Sequence, residues 1–364
     1  MQASEAMFPK HVRMDMEIKT IMSNDAKSRV CALPVVGEIS PEALEAAIDN
    51  ILNFRAYRLL RIFAHEEIVG VKPCQNRTEH SLDYVASVVS MLRHRRVMPM
   101  VCDTTDRYRD INRNAIKRME ELAAHFTSPS IPIVILDGIK GEHELVCRDS
   151  KGAPDVFLAG EIPSLGGAVV VSCIRPDPLS GLSGALVNLG VGFASKRGKI
   201  KHYAMHPPQV HQDKCYSCRR CLRECPVHAI EMAETHVVIN AERCINCGRC
   251  IEVARFGGIT YEWDATPEHF RSIVTAHGHA VLNALNHRVV FMNVLELPPA
   301  ENGQRQLTIL FSRDPVAVDA ATVDIFNQHA LLQANEQDLA SQLLAEAEAS
   351  GIGRTAHFIE RVAF

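Results

Sequence analysis

The sequence predicts an α/β fold: a parallel or mixed sheet flanked by helices, interrupted by a small cysteine-rich domain. Three observations carry this. Short apolar runs of buried-strand type (Val97 to Cys102, Ile131 to Leu136, Ala168 to Ser172) alternate with amphipathic stretches of helical period. The alternation resumes after residue 264, with strand-like Val289 to Leu295 and Leu307 to Phe311. Between the two halves, residues 215 to 254 write one cysteine pattern twice. Alternating strands and helices imply a sheet covered on both faces. The cysteine segment therefore reads as an insertion: residues 1–210 and 264–364 form the body and 211–263 the inserted domain.

In chain order, residues 1 to 40 carry no strong pattern and read as an irregular lead-in. Ser40-Pro41-Glu42-Ala43 is an N-cap with proline at the first helical position, opening a helix to about Leu60. Arg61 to Val71 holds short strand, ended by Lys72-Pro73. A helix from about His80 to Arg93 places Leu82, Val85, Val88, Val89 and Leu92 on one face, and another runs roughly from Asn112 to Phe126. Lys140 to Asp155 is a polar excursion. Gly181 to Lys201 is rich in glycine, and a glycine-rich loop opening a helix is able to hold a phosphate on its backbone amides. Close packing beside a solvated basic edge (Lys196, Arg197, Lys199, Lys201) explains the stretch equally well. His202 to Pro208 reads as a linker stiffened by paired prolines. Helices are expected over Pro267 to Leu285, from about Val316, and over Asn335 to Glu348, the last stopped by Gly351. Ligands of such sheets bind beyond the carboxyl ends of the strands. Asp103, Thr104, Asp137 and Ser172 fall there and sketch a pocket, although each alone also reads as turn and cap chemistry.

Composition narrows the function classes. The 364 residues are 47% apolar and 23% charged, ordinary for a globular chain of two or three domains. A net charge of −4 gives no general attraction to nucleic acid or anionic membrane. No stretch approaches the ~18 apolar residues of a membrane span. The first thirty residues lack the apolar core of a secretory signal, so the expected location is the cytoplasm. Seven of the twelve cysteines crowd at metal-ligand spacing, the pattern of a metal protein in a reducing compartment. Cys31, Cys74, Cys102, Cys147 and Cys173 are scattered and read as small buried apolar residues.

The first copy of the pattern is Cys215-x2-Cys218-x2-Cys221-x3-Cys225-Pro226, and the second is Cys244-x2-Cys247-x2-Cys250-x3-Ala254-Arg255, offset by 29 residues. In the bacterial two-cluster ferredoxin arrangement, three thiolates of a run hold one [4Fe–4S] cluster and the fourth crosses to the other. Zinc competes for Cys-x2-Cys pairs, but the third cysteine, the Cys-Pro and the repeat fit the iron–sulfur arrangement better. Crossed ligation gives one complete [4Fe–4S] site on Cys225, Cys244, Cys247 and Cys250. The other, on Cys215, Cys218 and Cys221, lacks its fourth thiolate because position 254 is alanine. That site is left open between a [3Fe–4S] cluster, a [4Fe–4S] cluster with one exposed iron, and no cluster. His202, His206, His211 and His228 are nearby candidates for a fourth ligand.

Beyond these cysteines, CDTTDRYRDINRNA (with Thr104, Thr105, Tyr108, Arg109 and Asn114), Leu136 to Glu142, Ser183 to Ser195 and Arg313 to Ala321 together resemble the DUF362 family of Fe–S centre proteins. The resemblance runs from about Arg61 to the end of the chain. It implies an α/β body with an inserted ferredoxin-like domain and no assigned reaction. The chain departs from it at Ala254 and Arg255, and again at Ser172-Cys173-Ile174-Arg175-Pro176, where the family tends to carry a His, Lys and His cluster. Cys173 stands in the first histidine's place as a candidate soft ligand. The expected function is an electron-transferring iron–sulfur oxidoreductase component, with a redox partner protein and a small-molecule substrate held by the body. Two other classes stay open: a non-redox enzyme using an exposed iron as Lewis acid, and a non-enzymatic electron carrier or assembly partner.

Overall fold

The computed structural model describes residues 27–36, 43–46, 62–64, 66–74, 81–106, 114–126, 131–148 and 154–361. Eight strands form one mixed sheet: β1 (Ser28–Val36), β2 (Ile68–Lys72), β3 (Met98–Asp103), β4 (Ile133–Ile135), β5 (Gly167–Cys173), β6 (Val289–Leu297), β7 (Gln306–Ser312) and β8 (His357–Arg361). Their order is β8-β1-β7-β6-β5-β2-β3-β4. Only β7 runs against its neighbours, pairing antiparallel with β1 and β6; the remaining pairs are parallel. The central neighbours β5 and β6 come from before and after the cysteine segment, with Val170 opposite Phe291.

Helices cover both faces. The described helices are α1 (Ser81–His94), α2 (Ala115–Ala123), α3 (Ala185–Gly190), α4 (Lys196–Tyr203), α5 (Arg220–Glu224), α6 (Arg249–Val253), α7 (Pro267–Ala284), α8 (Pro315–Gln328) and α9 (Ala334–Ala349), of which α5 and α6 belong to the cysteine segment and pack on each other. Val170 of β5 faces the core shared with α3, α7, α8 and α9, while Val169 and Val171 face the core shared with α1. All three are fully buried. A strand buried on both sides needs apolar residues at every position, which is why it appears in the sequence as an unbroken run. Among the described residues no helix is long and apolar enough to cross a membrane.

Four expectations are corrected. The lead-in is not irregular throughout, because residues 28–36 form β1, with Cys31 opposite Phe311 on one side and Glu360 on the other. Both faces of β1 are buried, so no polar alternation marks it, and Pro34 argues against a strand. Pro34 is tolerated because the pairing with β8 ends at Ala32. Of the helix expected over Ser40 to Leu60, residues 43–46 are helical and the rest lies outside the described residues.

The glycine-rich stretch has no room for a phosphate. The amides of Ala185 and Leu186 at the start of α3 donate to the Asp319 carboxylate at 2.7 and 2.9 Å, and Asn293 donates to it as well. A Cβ on Gly184 would lie 2.4 Å from that carboxylate. The anion is the chain's own, and burial pushes its pKa up to about 6. The basic edge is likewise not solvated, since Lys196 and Lys199 are buried. His202 and Tyr203 belong to α4 instead of a linker, and the buried His202 ring lies 4.4 Å from that of His277.

Candidate iron–sulfur centre and its junction with the body

The inserted segment is built as two matching loops. Ser217 and Asn246 both take left-handed backbone, as do Arg219 and Gly248, and His228 and Gly257; each pair is separated by the repeat offset. Helices α5 and α6 follow at the same offset. Left-handed residues inside a cysteine loop turn successive backbone amides toward a common centre, a concavity suited to anions such as thiolate and sulfide. The equivalence extends to the missing ligand. Cys225 has φ −76° and ψ 110°, and Ala254 has φ −74° and ψ 105°. Position 254 keeps the backbone of its repeat-equivalent cysteine and carries a methyl in place of the thiol.

Cys215, Cys218 and Cys221, together with Ala254, line one cavity of about 270 Å³. The thiol of Cys225 acts electrostatically on Cys244 and Cys250, and Cys221 acts on Cys250 as well. Its sulfur also accepts the amide of Ala229 at 3.2 Å. The two sets share one small core in which Cys221, Cys225 and Cys250 pack with Ala229, Ile230, Val237 and Ile259. A core this small, nearly half of it thiol, does not hold some fifty residues together by apolar burial alone.

The donor set fits iron–sulfur clusters. Burial pushes the Cys221, Cys244 and Cys250 thiols up, so the thiolates need a nearby cationic metal to exist there. A zinc site requires donors converging on one point. Among the described residues no three Cys, His, Asp or Glu side chains do so, and Cys215, Cys218 and Cys221 border a cavity. The Tyr261 hydroxyl is buried without a hydrogen-bond partner, within electrostatic reach of Cys250, Cys244 and Cys247. An orphaned donor beside a thiolate set is what a cluster sulfur would satisfy.

The other candidate ligands lie elsewhere. No histidine lines the cavity at Ala254. Buried His202 has its Nδ1 on Gly198 O, His206 pairs with Asp264, His211 meets Thr260 Oγ1 at 2.7 Å, and His228 is exposed. Cys173 packs in the sheet core on the α1 side, as a buried apolar thiol does.

Helix α4 rivets the cysteine domain to the body. Lys196 Nζ reaches Glu252 of α6 at 2.6 Å, and Arg197 Nε donates to Ile245 O at 3.0 Å while its Nη1 meets Glu144 at 3.2 Å. A cavity of about 320 Å³ opens at this junction, lined among others by Lys140, Glu144, Arg197, Cys247, Arg249 and Glu252. Gly141 also lines it. Its φ is +77°, and a Cβ there would lie 2.4 Å from Thr105 Oγ1 and 2.6 Å from Lys196 Cβ. Only glycine fits between the cavity and the sheet.

Directly behind Gly141 are the strand-end residues, and they do not form an open pocket. The backbone N–H and hydroxyl of Thr105 donate to Asp137 at 2.8 and 2.6 Å, and Lys199 donates to Thr105 O. Asp103 takes Lys72 at 2.8 Å and Arg118 Nε at 2.8 Å, while Thr104 donates its hydroxyl to Gly192 O. Asp103, Thr104, Thr105 and Asp137 are wholly inaccessible. Ser172 lies apart, on Asn188 Nδ2 at 3.2 Å. Burial raises the Asp137 pKa and lowers that of Lys199 to about 8. Lys72, Arg118, Lys199, Glu252 and Tyr261 had no motif to announce them; the sequence signal was at most charged or polar residues within otherwise apolar stretches.

A sequence profile of the 4Fe-4S dicluster domain matches residues 196–255, which identifies an iron–sulfur protein with a ferredoxin-like domain. A ferredoxin of Streptomyces griseus is 34% identical over 59 residues, which is 16% of this chain and 55% of that ferredoxin. Two solved structures show partial similarity to the chain. A structural-genomics protein from Thermotoga maritima has a TM-score of 0.41 at 9% identity, covering 86% of this chain and 60% of its own. The lactate racemase apoprotein from Thermoanaerobacterium thermosaccharolyticum has a TM-score of 0.43 at 11% identity, covering 79% and 54%.

Proposed function

We propose that the chain is an electron-transferring component of an iron–sulfur oxidoreductase, acting on a small polar molecule in the junction cavity. Cys225, Cys244, Cys247 and Cys250 hold a [4Fe–4S] cluster. Cys215, Cys218 and Cys221 hold a second one, [3Fe–4S] or [4Fe–4S], that lacks a protein thiolate at Ala254. When bound, such clusters supply one-electron transfer. The carrying observation is the placement of the two thiol sets. Cys218 is exposed on the surface of the inserted domain, whereas Cys247 lines the open cavity at the junction with the body. A redox partner at one face and a substrate at the junction are then served by one short route.

The chain's own residues define what that cavity takes. Lys140, Arg197 and Arg249 offer cations and Glu142, Glu144, Glu224 and Glu252 anions, with Arg197 already paired to Glu144 and Glu252 to Lys196, so the fit is to a small molecule carrying charges of both signs. Asp137 lies one glycine behind the wall, hydrogen-bonded to Thr105 and sealed from the cavity. Anaerobic purification with iron and sulfide counts, followed by EPR before and after reduction, tests the assignment. Two signals interacting magnetically are expected, and zinc without a visible chromophore would refute it.

A second reading, a non-redox enzyme using an exposed iron, is favoured by the alanine at a ligand's position beside a cavity. Perturbation of the EPR signal by small carboxylates, with turnover in the absence of an electron donor, would select it.

A further inference from the structure

We infer that the outer face of the inserted domain, around Tyr216 and Phe256, is the docking surface for an acidic electron-carrier protein. The inference rests on the electron-transfer reading above for its purpose and on the surface itself for its partner. Tyr216 and Phe256 are 70% and 72% exposed, with ring centroids 5.2 Å apart, so they pack on each other instead of on the core. Both line the cavity of Cys215, Cys218 and Cys221. Lys214, Arg219 and Arg220 line it too, all exposed, and among the described residues no Asp or Glu does. This cationic rim stands on a chain whose net charge is −4. It is a local feature and does not follow from the composition.

Arg219 makes the point sharper. Its φ is +57°, where an L side chain is disfavoured, and the repeat-equivalent residue is Gly248 with φ +71°. The second copy uses glycine for this turn; the first retains a cation in a strained backbone conformation. Exposed aromatics beside arginines are the composition of an interface core, and a positive rim steers a negative partner into contact. Cys215, Cys218 and Cys221 would hold a cluster within this cavity, with the exposed rim beside it as the contact surface. Across it one electron passes: the reduced carrier is oxidised, the iron–sulfur site is reduced, and no bond is made or broken.

The test uses the full chain with its iron complement verified, and a plant-type [2Fe–2S] ferredoxin, a strongly acidic carrier, as probe. Binding of the oxidised ferredoxin is measured by calorimetry at low and high salt, and reduction of the chain by the reduced ferredoxin is followed by stopped flow. The double variant Arg219→Glu/Arg220→Glu should weaken binding and slow reduction by about tenfold or more, and Tyr216→Ser should do so severalfold. Lys117→Glu, on the body, should change neither. Reduction by the neutral radical of photoreduced 5-deazaflavin should be the same in all variants, which separates docking from a shift in potential. Salt-independent binding, unaltered binding by the double variant, or preference for basic cytochrome c would overturn the inference. So would sedimentation with phosphatidylserine vesicles that the double variant loses, which would assign the patch to a membrane. A chain with full iron that ignores ferredoxin refutes the docking surface alone; a chain that takes up no iron refutes the functional reading with it.

Discussion

Replacing Ala254 by cysteine should complete the open site. The substitution adds one sulfur to an existing Cβ, on a backbone that matches Cys225 within 2° in φ (−74° against −76°) and 5° in ψ (105° against 110°). No left-handed residue is involved and no backbone strain is added. Gly258, the repeat-equivalent of Ala229, lines the same cavity, so its amide is placed to support the new thiolate as Ala229 supports Cys225. A cluster held by three thiolates exposes one iron, and oxidation releases it. After anaerobic reconstitution and a brief ferricyanide treatment, the parental chain should retain about seven irons and Ala254→Cys about eight, as expected for [3Fe–4S] plus [4Fe–4S] against two [4Fe–4S] clusters. The readouts are iron and sulfide counts and the oxidised-state EPR signal, which should vanish in the variant. Cys225→Ala is the mirror control and should inflict the same lesion on the site of Cys244, Cys247 and Cys250. Equal iron in parent and variant before and after oxidation would refute the crossed ligation, and about four irons in the parent would show the three-thiol site to be empty.

Tyr261→Phe removes the orphaned hydroxyl. Loss of a hydrogen bond to the cluster of Cys225, Cys244, Cys247 and Cys250 should make its midpoint potential more negative in an EPR-monitored titration, and an unchanged potential would deny Tyr261 that role. Gly141→Ala should destabilise the body by roughly 2–3 kcal/mol, because the methyl meets Thr105 and Lys196 in a left-handed conformation; a denaturant midpoint equal to the parent's would contradict the close approach. Lys199 provides a pH prediction. Its pKa is lowered by burial from the ordinary lysine value to about 8, so the folded state releases a proton that the unfolded state keeps. The penalty is full below about pH 8 and is relieved as pH rises toward the unfolded value. Relative to Lys199→Met, the parent should gain about 3 kcal/mol between pH 8 and 10.5, and a flat difference in urea stability would rule out the buried charge. Finally, removing iron with a chelator should unfold the cysteine domain while the sheet persists, visible as loss of amide protection confined to about residues 211–263.

What was legible beforehand divides by physical cause. The buried strands β3 and β5 and the long helices α7 and α9 announce themselves through local period. β1 does not, because burial on both faces erases alternation and its proline obeys a rule that the open side of the strand suspends. The strand-end polar residues were recognised as a group, but their role was reversed. Asp103 and Asp137 are not open to a ligand, since Lys72, Arg118 and Lys199, from elements far apart in sequence, fill the space in front of them. The phosphate loop failed in the same way, with Asp319 arriving from more than a hundred residues away.

The sequence by itself determined the ligand chemistry: seven thiols in a 29-residue repeat, one fourth position lost, and a cluster-sized demand for iron. Cysteine spacing encodes this because a loop wrapping a cluster is a local object, set by a few residues on each side. Only the tertiary structure decided where the thiols face. That Cys247 meets the body across a cavity, that Cys218 and two aromatics meet solvent, and that the strand ends are sealed all depend on which distant segments pack together. Long-range packing is fixed by burial and charge pairing between elements, and these leave no period or motif along the chain.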